Sequence, residues 1–168
     1  MSESTEVLVV CSQYNKTLIP QEYDSLNIVY SPSQALSIKE QSDFYNSIIS
    51  SEQQNPKDIY GFVPLDHDFT SKKIVSTVVD FFNQDTLINV VITDFINKYS
   101  TFSEYHHSHP HNINDPCTIF IRGSLLKNIN FSDSATMFPD VIKQLVQQRE
   151  IIFHIAEPLM TNVQESAI

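Results

Sequence analysis

A single α/β domain, with a mixed but mainly parallel sheet flanked by helices, is the fold class that the sequence predicts, and three observations predict it. Short β-branched apolar runs alternate along the chain with segments of helical period, the pattern that builds a layered sheet. The later half is richer in strand than in helix, which points to a mixed sheet rather than an all-parallel one. The 168 residues, 41% of them hydrophobic and 18% charged, suit one globular domain and are short for two. The domain is expected over 1–168, with a core from about 6 to 160.

Each element follows from local pattern. Glu6 to Cys11 is a β-branched apolar run with no helical period, a buried strand feeding the polar turn Ser12-Gln13-Tyr14-Asn15. Leu26 to Tyr30 is the second strand. Ser31-Pro32 resembles an N-cap with proline at the first helical position, and Ala35, Ile38, Tyr45, Ile48 and Ile49 recur near helical spacing behind it. Asp58 to Val63 is the third strand, and Thr70 or Ser71 then caps a helix with Ile74, Val75, Val78 and Phe82 on its apolar face. Leu87 to Thr93 is another strand, Asn97 to Asn114 a long polar loop, and Cys117 to Ile121 a further strand. Pro139 opens a helix that buries Val141, Ile142, Leu145 and Val146, and Glu150 to Ile155 closes as a strand. The first five and last six residues read as loose ends.

Ten basic against twenty acidic residues give a formal charge of -10. Such a field repels phosphate backbones, and no basic patch reverses it, so nucleic acid is not an expected partner. An anionic ligand would need a divalent cation between itself and the carboxylates. Cys11 and Cys117 each fall inside an apolar strand, the setting of a buried free thiol in a reducing compartment. The amino terminus MSESTEVLVV lacks a basic signal-peptide region, and no apolar run approaches the roughly 18 residues of a membrane span. A soluble cytoplasmic protein with no transmembrane segment is expected.

The triplet Asp66-His67-Asp68 follows the third strand and precedes a helix. In an extended turn, residues i and i+2 point the same way, so both carboxylates can converge on one hard cation through oxygen ligands. The residues alone leave a second reading, in which Asp68 and Thr70 cap the next helix while Asp66 faces water. Ligands of open α/β sheets bind beyond the carboxyl ends of the strands, where this triplet falls.

The order of the whole chain resembles the family 2 glycosyltransferases of the GT-A fold. The likeness rests on a first strand ending in a Tyr-Asn turn (VLVVCSQYN), a helix carrying Asn46 (DFYNSII) and a strand running into an acidic D-x-D (IYGFVPLDHDF). It continues with a strand ending in Arg122 (TIFIRGSLL), an aromatic in NINF, Asp140 at the start of the final helix (FPDVIKQL) and the closing strand IIFHIAEPL. It spans about Glu6 to Leu159. The resemblance implies an inverting, metal-dependent transfer of a sugar from a nucleotide-sugar donor, a UDP-sugar favoured, to a hydroxyl of a sugar or glycan acceptor. It implies that Asp68 ligates Mn²⁺ or Mg²⁺ on the donor diphosphate and that Asp66 contacts the ribose or the same ion. Asp140 matches the family's catalytic base. Tyr14, Asn15, Asn46 and Arg122 fall at donor-binding positions. At the level of the residues, Asp140 has another reading, as an aspartate complementing a helix dipole. The aromatic and basic acceptor motif that often follows the catalytic aspartate is absent from QLVQQRE, which keeps in view a catalytically inactive binding or assembly module of the same fold.

Other chemistry finds less footing. His106, His107, His109 and His111 crowd one polar segment, but no cysteine or second ligand cluster accompanies them at structural-site spacing, and an exposed loop with adventitious Zn²⁺ or Ni²⁺ affinity is expected. The corresponding region in the resembled family can close over the donor, which would bring one histidine to phosphate. A histidine-loop metal carrier is the third and weakest functional class. His154 lies in an apolar strand, as a hydrogen-bonded core histidine does. Ser124 lacks the glycines of a nucleophile elbow, the two cysteines have no cationic neighbours, and two glycines build neither a P-loop nor a dinucleotide fingerprint.

Overall fold

The computed structural model describes residues 5–12, 23–32, 36–69, 73–98, 103–106 and 116–163. Along them run β1 (Val7–Cys11), β2 (Leu26–Tyr30), α1 (Ile38–Glu52), β3 (Ile59–Phe62), β4 (His67–Phe69), α2 (Ile74–Gln84), β5 (Val90–Lys98) and β6 (Ser103–His106). Then come β7 (Ile119–Arg122), a 3₁₀ segment (Gly123–Asn128), α3 (Met137–Gln147) and β8 (Ile152–Val163). Among the described residues the strands form one eight-stranded sheet in the order β2-β1-β3-β7-β5-β8-β4, with β6 paired to β5. The β1–β2, β1–β3 and β5–β8 pairings are parallel, while β7, β4 and β6 run against their neighbours. Five of the eight strands therefore share one direction, and the mixed character expected from the strand-rich later half is present.

The continuous apolar runs are explained by a sheet covered on both faces. Leu8 and Val10 of β1, Ile119 and Ile121 of β7, and Val90 and Ile92 of β5 pack in one cluster with Tyr45 and Ile49 of α1 and Val141, Ile142 and Leu145 of α3. Val7, Val9 and Cys11, with Val91 and Phe120, pack in the other cluster, against Ile74, Val75, Val78 and Phe82 of α2. Cys11 and Cys117 belong to opposite clusters and are buried, as their apolar settings predicted.

Both glycines stand where backbone or ring comes too close for a side chain. A Cβ on Gly61 would lie 2.5 Å from the Phe120 ring, and one on Gly123 would lie 2.0 Å from Lys57 O.

Several boundaries differ from the local reading. α1 begins at Ile38, not behind Ser31-Pro32, because Ser37 and Glu40 form a reciprocal capping box. Ser31 instead continues the sheet edge, its N–H donating to Cys11 O at 2.9 Å. α3 begins two residues before Pro139, which is accommodated because first-turn N–H groups have no helical partner. The segment expected as a polar loop from Asn97 is partly strand: β5 runs on to Lys98 and pairs with β6 and the distal half of β8. That extension is supplied by cross-strand pairing, which no local pattern encodes. The caps proposed at Thr70 and Ser71 lie outside the described residues.

Candidate functional site

The site is built at the carboxyl end of β3. Beyond Phe62 the chain turns through Pro64-Leu65-Asp66, closed by His67 N–H donating to Pro64 O at 2.9 Å, and re-enters the sheet as β4 beside β8. His67 is buried at 1% exposure whereas Asp66 is exposed. Asp68 lies on β4 opposite Thr161. The D-x-D thus straddles the junction of a turn and a short strand, where a turn alone had been expected.

Tyr45 of α1 fixes this turn from below. Its hydroxyl donates to Val63 O at 2.7 Å, and its ring stacks on Phe131 at 4.6 Å and meets Phe138 edge-on at 5.4 Å. Burial first, then the charge of Asp66 and the Cys11 thiol, hold this hydroxyl well above its ordinary 10.0. It remains a neutral donor at physiological pH.

The opposite wall is the start of α3. Ser42 Oγ and Asn46 Nδ2 of α1 both donate to Phe131 O at 2.8 Å, and Asn46 Oδ1 accepts from Phe131 N–H at 2.8 Å. Ser132, the next residue, donates its hydroxyl to Asp140 Oδ2 at 2.8 Å, and Thr136 Oγ1 donates to the same oxygen at 3.2 Å. A chain of contacts therefore runs from α1 through the segment 131–132 to the half-buried carboxylate of Asp140 in the first turn of α3.

Between these walls lies a pocket of about 270 Å³, lined by Asp66, Pro64 and Leu65 on one side and by Met137 and Phe138 on the other, with Gln41 and Pro116 at its edges. The first α3 turn that carries Asp140 and the turn that carries Asp66 thus face one cavity.

Two residues expected at the donor site are placed elsewhere in their contacts. Asn46 commits both ends of its amide to the Phe131 backbone. Arg122 lies opposite Ile59, the first residue of β3, at least about 10 Å of strand from the end that carries Asp66. Its guanidinium donates to Phe82 O and Ile88 O at 2.7 Å and to Asp85 O at 3.3 Å, and stands 5.1 Å from the Phe82 ring. It closes the carboxyl end of α2, whose last carbonyls need donors, and is not part of the Asp66 site. Tyr14 and Asn15 lie outside the described residues, as do His107, His109 and His111; His106 is on β6, opposite Phe95.

Sequence reasoning missed the contributions of Tyr45, Gln41, Ser132 and Thr136, which carry no motif. It also missed Asp94, a carboxylate at 0% exposure on β5 paired through Oδ1 with His154 Nε2 of β8. A single aspartate inside the apolar VVITDFI was the available signal. His154 is hydrogen-bonded, as its strand predicted, but half-buried rather than in the core. Among the described residues no three His, Cys, Asp or Glu side chains converge as a metal cluster, and no helix is long and apolar enough to cross a membrane.

No family model and no curated protein matches the chain. Solved structures do. The chain is similar to A197 from STIV, with a TM-score of 0.53 at 11% identity over 90% of this chain and 82% of that one. It is similar at the same TM-score and identity to a glycosyltransferase involved in the glycosylation of the major capsid of PBCV-1, over 94% of this chain and 93% of that one. At this identity the likeness establishes the fold: a mixed α/β sheet of the kind a glycosyltransferase uses.

Proposed function

We propose that the chain is a glycosyltransferase of GT-A type, moving a sugar from a nucleotide-sugar donor to an acceptor hydroxyl with inversion. The observation that supports the reading is the pocket that Asp66 shares with Met137 and Phe138 of the first α3 turn, the turn that also carries Asp140. The shared fold with a glycosyltransferase supports it.

The donor set fits a hard cation: the carboxylates are oxygen ligands, Asp66 is exposed, and with no third protein ligand among the described residues the remaining positions fall to diphosphate oxygens and water, as Mg²⁺ and Mn²⁺ prefer. Asp66 and Asp68 would hold the ion, which would supply charge neutralisation on the departing diphosphate. Asp140 serves as base. As the acceptor oxygen bonds to the anomeric carbon and the anomeric C–O bond to the diphosphate breaks, the acceptor proton passes to the Asp140 carboxylate. Ser132 and Thr136 hold Oδ2, fixing the carboxylate's orientation. A UDP-sugar is the favoured donor.

The test is a panel of UDP-, GDP- and CMP-sugars assayed for hydrolysis and transfer with and without Mn²⁺, on the wild type and on Asp140→Asn. Metal-dependent turnover that Asp140→Asn abolishes while donor binding persists is the expected result. Donor binding without turnover in the wild type identifies the chain as a non-catalytic module of the same fold, a reading favoured by the structural use of Asn46 and Arg122.

A further inference from the structure

The pocket beside Asp66 has a one-sided chemistry. Pro64, Leu65, Met137 and Phe138 give it apolar walls, and its polar side chains among the described residues are Asp66 and Gln41. Gln41 turns its amide nitrogen to Leu36 O at 3.0 Å, leaving its carbonyl end for other partners. Both polar groups are then acceptors, and no lysine or arginine is among the described lining residues. A ligand complementary to this lining must donate hydrogen bonds, must present an apolar face to Phe138 and the proline, and must carry no negative charge, which Asp66 would repel. The volume of about 270 Å³ falls just below the roughly 300–1,000 Å³ of drug-sized sites, so the pocket takes one ring rather than an entire nucleotide-sugar. A pyranose meets these demands: its hydroxyls donate and its C–H faces are apolar.

We propose that this pocket is the acceptor subsite and that it selects an uncharged sugar ring over the corresponding uronic acid. The word acceptor rests on the glycosyltransferase reading, through the position of Asp140 on the helix that supplies Met137 and Phe138. The charge selection rests on the described lining with no cation on Asp66, the state in which the experiment is run.

The experiment uses the full chain with methionine methyl groups labelled for NMR, without donor and without metal. The probes are methyl glucoside, methyl galactoside, methyl mannoside, their uronic acid counterparts, and uridine. Met137 lines the pocket, and Met160, at 0% exposure, serves as the internal reference. At least one neutral glycoside is expected to shift the Met137 signal saturably, with its uronic acid binding at least about tenfold more weakly because of Asp66. Ala135→Trp, at an exposed lining position, is expected to remove the response, and Ala135→Lys to narrow or reverse the preference. Uronic acids binding as well as neutral glycosides, uridine alone producing the shift, no probe binding, or an unaltered response in Ala135→Trp would each overturn the assignment. Since neither donor nor metal is present, these results stand whether or not the chain turns over a nucleotide-sugar.

Discussion

Replacing Asn46 by alanine removes two hydrogen bonds of 2.8 Å that join α1 to the backbone of Phe131. Phe131 O keeps the Ser42 hydroxyl at 2.8 Å, so the group that loses its partner is the N–H of a residue only 1% exposed. An orphaned donor of this kind costs about 1–3 kcal/mol and the second bond about 1 more, for a loss of about 2–4 kcal/mol. In a domain of this size that lowers Tm by roughly 5–15 °C. Thermal unfolding followed by near-ultraviolet circular dichroism measures it, with Asn46→Asp as a companion: the carboxylate still accepts from Phe131 N–H but cannot donate to Phe131 O, so it should recover only part of the loss. The family resemblance offers a competing expectation, that Asn46 touches the donor. A variant whose Tm stays within about 1 °C of wild type while donor affinity falls would refute the clamp and restore that expectation.

Three further outcomes follow from the same geometry. In Tyr45 the folded hydroxyl ionises well above the ordinary 10.0, so its contribution to stability is complete below that pH and is lost as pH rises beyond it; the urea midpoint should fall on going from about pH 8 to about pH 11, and less steeply in Tyr45→Phe, whereas equal slopes would remove Tyr45 from the explanation. Gly123→Ala drives a methyl group to 2.0 Å from Lys57 O, beside the 2.8 Å bond from Gly123 N–H to Asp58 O, and should cost more than about 3 kcal/mol or leave the protein insoluble; an unchanged urea midpoint would contradict the close approach. His154→Leu removes the ring that pairs with the fully buried Asp94 and should destabilise by up to about 3–5 kcal/mol, with Asp94→Asn in the same background recovering part of it; additive losses would show that the two side chains do not act as a pair.

The fold was legible because its strands are covered on both faces. VLVVC and TIFI have no alternative to a buried strand, and the spacing of Ile74, Val75, Val78 and Phe82 matches one helix face. β4 was not legible: three residues, His67 to Phe69, carry no period, and their strand character comes from β8, more than ninety positions later. The same cause hid β6 and the distal half of β5. In the candidate site, Asp66 and Asp140 could be singled out because carboxylates at a strand end and a helix start are chemically conspicuous. Arg122 and Asn46 were conspicuous too, and their residue types suit ligand binding as well as the roles they fill. Whether a guanidinium meets a phosphate or a helix's last carbonyls is decided by antiparallel pairing of β7 with β3, a long-range fact. Tyr45 and Ser132 show the converse, since ordinary residues position the site through hydrogen bonds that no motif announces, Tyr45 to a backbone carbonyl and Ser132 to the Asp140 carboxylate.

The proposed enzyme depends on a cation joining Asp66 and Asp68 to a donor diphosphate. Equilibrium binding of a UDP-sugar to the wild type and to Asp68→Ala, each with and without Mn²⁺, tests that dependence most directly. Binding that requires Mn²⁺ in the wild type and disappears in Asp68→Ala, with the circular dichroism spectrum of the variant unchanged, is the expected result. Equal binding by both proteins, or wild-type binding that is indifferent to the metal, would contradict it.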